Sequence, residues 1–140
     1  MFKVIVVGAD GSSTASAAVD AAVEMAKLTG ASLHIVTAYR PRSARASSVP
    51  EEFRYSASVD EAESVLDSLT FNAKMAGVTV TTHPKKKGAA NAILEVAEEV
   101  GADLVVMGNV GMKGARRVLG SVPNAVSHQA QCSVLIIQTS

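Results

Sequence analysis

Disulfides, tryptophan, long apolar runs and an excess of either charge are all missing from this sequence, and each absence removes a class of protein. Of 140 residues one is cysteine, none is tryptophan and 4% are aromatic. The lone Cys132 excludes an intramolecular disulfide, and its place ahead of the apolar tract SVLIIQ reads as a packing residue. Thirteen basic and thirteen acidic side chains cancel to zero, so the broad basic field of a general nucleic-acid binder is lacking. No apolar stretch approaches membrane-spanning length, and MFKVIVVGADGSS lacks the longer apolar core and cleavage site of a secretory signal. Neither a nucleic acid nor a membrane is expected as a partner, and a reducing, cytoplasmic location is the default.

Motifs of catalysis are scarce as well. The sequence has no GxxxxGK[ST], which excludes a Walker-type NTPase, and no GxSxG nucleophile elbow. His34, His83 and His128 are scattered without metal-ligand spacing, so no metal site is expected. Lys85-Lys86-Lys87 reads as a solvated charge run at the end of a strand. Nothing repeats and no composition shift marks a boundary, so residues 1–140 read as one domain, large enough to close a core.

What is present is an ordered alternation. Five short apolar runs, Phe2–Gly8, Ser32–Ala38, Val78–His83, Asp103–Gly108 and Ser133–Gln138, have the β-branched richness of strands. The third alternates Val with Thr, which suits an edge. Between them lie helical patterns with ends. Ser13 to Leu28 is Ala-rich and stopped by Gly30. Ser58-Val-Asp-Glu61 reads as a capping box, followed by the stripe Ala62, Val65, Leu66, Leu69 and Ala73 and the stop Gly77. Ile93, Val96, Ala97 and Val100 repeat the arrangement before Gly101, and a last helix is predicted from about Val122 to Ala130. Strictly alternating strands and helices imply an α/β fold, a parallel sheet with helices on both faces. Residues 40–57 fit neither pattern and read as a surface loop, with a lid as the functional alternative.

In such a sheet ligands bind outside the carboxyl ends of the strands, where the winding reverses. Two segments follow strands there: Gly8-Ala-Asp-Gly-Ser-Ser13, and Gly108-Asn-Val-Gly111-Met-Lys-Gly114-Ala-Arg-Arg-Val-Leu-Gly120-Ser121. Glycines let main-chain N–H groups approach an anion closely. Ser121 reads as a helix N-cap with Pro123 in the first turn, so free N–H groups and the positive end of a helix face the same place. Lys113, Arg116 and Arg117 add charge. Purely steric glycine turns are the alternative.

VIVVGADGSSTASAAVDAA resembles the opening of universal stress proteins, and ADLVVMGNVGMKGARRVLGSVPNAVSHQAQCSVLII resembles their closing signature. The resemblance covers nearly the whole chain. It implies a five-stranded parallel sheet of order 3-2-1-4-5, a Rossmann-like layering shared with adenine-nucleotide α-hydrolase-like proteins. The nucleotide-binding branch has Gly-x2-Gly-x9-Gly-Ser/Thr; here Gly108-x2-Gly111 is followed by eight residues before Gly120-Ser121. One residue fewer shifts the helix start by up to roughly 3.5 Å in an extended segment, and Gly114 can absorb it. Carried over, Asp10 would bind the ribose hydroxyls, with Gly8 and Ala9 beside the base and the main chain of Thr37 and Ala38 at the adenine edge. Gly88 would permit close approach. Gly108, Asn109, Val110 and Gly111 would cradle ribose and phosphate, with Lys113, Gly114, Arg117, Gly120, Ser121 and Val122 completing the phosphate end.

The implied ligand is ATP or AMP, with Mg accompanying ATP as an option, and cyclic AMP is the alternative because Gly-Asn-Val-Gly occurs in members that favour it. No general base is identifiable, so at most slow ATP hydrolysis is expected. A chaperone-like member that binds no nucleotide is the third reading. The resemblance also implies that the apolar final strand pairs with its symmetry mate, giving a homodimer.

Overall fold

The computed structural model describes residues 1–10, 13–39, 59–109 and 119–139. Its elements are β1 (Val4–Gly8), α1 (Ser13–Thr29), β2 (Ser32–Ala38), α2 (Val59–Met75), β3 (Val80–Lys85), α3 (Ala89–Val100), β4 (Leu104–Gly108), α4 (Ser121–Gln129) and β5 (Ser133–Ile137). All strand pairings are parallel and the order is β3-β2-β1-β4-β5, as expected. Ser58 and the segment 40–57 lie outside the described residues, so the capping box and the loop reading do too. Gly30, Gly77 and Gly101 end α1, α2 and α3 with φ of 72°, 82° and 64°, a left-handed turn that costs a residue with a Cβ.

The sheet divides the core in two because side chains of a strand alternate between its faces. Ile5, Val7, Leu33, Ile35, Leu104 and Val106 pack with Ala18, Val19 and Ala22 of α1 and Leu66 and Ala73 of α2. On the opposite face Val6, Val36, Val105 and Met107 meet Ala92, Ile93 and Val96 of α3 and Val126 of α4. The central strands are covered twice, which is why they read as continuous apolar runs. At the opposite end from the strand carboxyl termini, Asp103 accepts from the N–H groups of Lys3 (2.8 Å) and Val4 (3.1 Å), fastening the start of β1 to β4.

β3 sits two residues later than the sequence pattern placed it, and it contains Pro84. Leu33 N–H donates to Thr79 O and Tyr39 N–H to Lys85 O. Odd-numbered residues of β3 therefore face β2, and the nitrogen of Pro84 lies on the outer margin, where no ladder bond is lost.

The same margin brings together two histidines. His34 Nδ1 and His83 Nε2 are 2.9 Å apart, on adjacent strands and on the α3 face, with ring centroids 5.1 Å apart. One imidazole donates to the other, a bond that requires at least one neutral ring. Lys85 adjoins them and is paired with Glu95 (3.3 Å) and Glu99 (3.4 Å) of α3. Burial lowers the pKa of His34; burial, then the charges of His34 and Lys85, lower that of His83 against an opposing pull from Glu99. Both folded values lie below the ordinary 6.5, so the unfolded chain binds these protons more readily. The stabilisation is complete above that value and is lost as pH falls through the lowered folded values. The urea midpoint is expected to drop between pH 7.5 and 5.5, and to drop less in the His34→Asn/His83→Gln double variant. An equal drop in both proteins would remove the histidine pair as the cause.

Candidate functional site

A cleft of about 720 Å³, counted out to its mouth, opens at the carboxyl ends of β1 and β4. β1 leads to β2 on one side and β4 to β5 on the other, so this is the point where the winding reverses. Its walls are Gly8, Ala9 and Asp10 after β1, Val36 and Ala38 of β2, Met107 and Gly108 of β4, the first turns of α3 and α4, and Ala15 of α1.

Of the residues expected from the sequence, Gly8, Ala9, Asp10, Ala38, Gly108 and Val122 line this cleft. Asp10 is the one ionisable side chain among the described lining residues. Val110, Gly111, Lys113, Gly114 and Arg117 lie outside the described residues. Thr37, Gly88, Asn109, Gly120 and Ser121 are not among its walls. Thr37 is 1% exposed, and its place in the alternation turns its side chain to the α1–α2 face. Its Oγ1 has no hydrogen-bond partner among the described residues. Gly88 is the N-cap of α3 with φ −61° and ψ 150°, a conformation open to any residue. Its carbonyl accepts from Ala92 N–H at 2.9 Å, and its neighbour Ala89 reaches the cleft.

Helix α4 begins one residue earlier than expected. Gly120, not Ser121, is the N-cap, with φ −59° and ψ 160°, because the Gly120 carbonyl accepts the first helical bond from Asn124 N–H at 2.9 Å. Ser121 and Val122 thus occupy the first two helical positions, and Pro123 the third, where it has no N–H to leave unpaired. None of the described hydrogen bonds uses the N–H of Ser121 or Val122. Two donors and the positive helix end remain for an anion beside Val122 and Pro123.

Sequence reasoning missed Val36, Ile93 and Met107, which give the cleft its apolar floor. They carry the same signal as any core residue. Gly8 has a second role that the sequence could not show: a Cβ there would stand 2.7 Å from Ile93 Cδ1 and 3.3 Å from its Cγ1. The glycine lets α3 close down on the sheet. Lys85 pairs with Glu95 and Glu99 of α3, and Lys87 with Glu95. Cys132 is half-buried against the α3–α4 core, and burial, then the charge of Asp103, raises its pKa. Among the described residues no three His, Cys, Asp or Glu side chains group as metal ligands. No helix of the described residues is long and apolar enough to cross a membrane.

A family model described as the universal stress protein family matches residues 1–138. The universal stress protein Rv1636 of Mycobacterium tuberculosis is 37% identical over 144 residues, covering 99% of this chain and 98% of that one. A solved universal stress protein in complex with cAMP is 35% identical, with TM-score 0.77 and coverage of 99% and 98%. The universal stress protein from Archaeoglobus fulgidus in complex with dAMP is 23% identical, with TM-score 0.70 and coverage of 99% and 98%; at that identity it speaks for the fold.

Proposed function

Because the chain belongs to the universal stress protein family, we propose that it is a stress-response protein that holds an adenine nucleotide in the cleft between β1 and β4. The observation that carries this reading is the composition of that cleft. It has an apolar floor of Val36, Ile93 and Met107, one carboxyl group on Asp10, and the amide-bearing start of α4 across from it. A flat base fits the first, ribose hydroxyls the second and a phosphate the third. Binding is the proposed role, with at most slow hydrolysis.

AMP or ATP is the first assignment. Cyclic AMP is the second, favoured by the complex of the 35% identical solved relative. Isothermal titration with AMP, ATP and cyclic AMP separates them, and the absence of heat with all three would leave the chaperone-like reading in place.

The free margin of β5 is proposed as a homodimer contact. β5 bonds only β4 among the described residues, and Val134 to Ile137 are partly exposed. Asn109 N–H donates to Ile137 O, so odd positions of β5 face β4, and Val134 and Ile136 direct their backbone groups outward. Ile136→Pro removes an outward donor without removing a β4–β5 bond. Sedimentation is expected to show a dimer for the native chain and a monomer for this variant. An unchanged mass would place the contact elsewhere.

A further inference from the structure

Asn109 follows directly on Gly108, the last residue of β4 and a wall of the cleft. A polar residue there suggests contact with the ligand, but its side chain is 2% exposed and is held from another direction. Oδ1 accepts from the N–H of Thr139 at 2.7 Å and from its hydroxyl at 3.0 Å. The N–H of Asn109 donates to Ile137 O at 3.1 Å. Three hydrogen bonds therefore fix one residue at the mouth of β4 to the end of β5 and to Thr139 just beyond it.

The physical consequence concerns direction. Turning the backbone at 109 swings its buried amide off both donors of Thr139, and a buried polar group without partners is costly. These bonds hold the direction of the backbone at the Gly108–Asn109 step, and with it the face that Gly108 shows to the cleft. Glycine at 108 supplies no side chain to set it.

We propose that Thr139 is a positioning residue for the bound nucleotide, acting through Asn109 to hold the end of β4 against the cleft. The proposal rests on the nucleotide reading above, and it adds a residue with no place in the cleft wall. A latch that served only the fold would change stability and leave affinity alone.

The test uses three full-length variants. Thr139→Ser keeps both donors, Thr139→Val lacks the hydroxyl and Thr139→Pro lacks both the hydroxyl and the N–H. AMP and cyclic AMP are titrated into each, the unfolding midpoint is recorded, and the amide resonance of Gly108 is followed without ligand. Thr139→Ser is expected to behave as the native chain. Thr139→Val is expected to lose roughly 3- to 10-fold in affinity, the worth of one hydrogen bond, and Thr139→Pro, which loses two, at least as much, with the Gly108 resonance displaced in both. Unchanged affinity in Val and Pro, or a loss matched by Ser, overturns the proposal. A native chain that binds neither nucleotide overturns the ligand reading. A Gly108 resonance indifferent to Thr139 overturns the latch by itself.

Discussion

Asp10→Ala is expected to weaken adenine-nucleotide binding by roughly 10- to 100-fold, the effect of losing a hydrogen bond to a charged group worth about 1.5–3 kcal/mol. Asp10 is exposed just past β1 and lines the cleft, where a ligand can reach its carboxyl group. Isothermal titration measures the affinity and thermal unfolding controls for the fold. A nucleotide lacking both ribose hydroxyls provides the sharper arm. It should bind the native chain more weakly and be indifferent to the substitution, because the partner of Asp10 is already gone. Equal losses for both nucleotides would move Asp10 away from the ribose, to a role in the turn that follows β1.

Gly8→Val is the second large effect. The first carbon of a side chain at Gly8 would stand 2.7 Å from Ile93 Cδ1, well inside contact distance, and valine adds two more. Alanine can be accommodated if Ile93 turns, since the obstruction is the far end of a flexible side chain. Valine must displace α3 or fill the cleft floor. Overpacking of this kind costs about 1–3 kcal/mol of stability, and the blocked floor is expected to lower nucleotide affinity at least about tenfold. Ile93→Ala in the Gly8→Val background should restore part of both, a coupling that a double-mutant cycle reads directly. Additivity of the two substitutions would mean that Gly8 and Ile93 do not meet.

Much of the fold was legible because its signals are local. The β-branched runs of β1, β4 and β5 and the glycine after each of α1, α2 and α3 mark elements by composition alone. β3 was misplaced because Pro84 reads as a stop, and only the hydrogen-bonding parity with β2 shows that its nitrogen faces outward. The site was legible where a glycine or a carboxylate follows a strand, as at Gly8, Asp10 and Gly108. It was not legible where a residue's role depends on a distant partner. The contact of Asn109 with Thr139 has no local signal, and Ile93 reads as core until Gly8 is seen against it. His34 and His83, separated by 49 positions, carried no shared signal at all.

Pro84 gives the sheet an asymmetry with consequences for assembly. One side of the sheet ends in a strand whose outward row lacks a donor, while the other, β5, keeps its row complete. Two copies joined β5 to β5 would each offer only a β3 border to the next molecule, and there strand-by-strand growth meets a gap. A dimer joined in that way would close at two copies rather than thread into fibres.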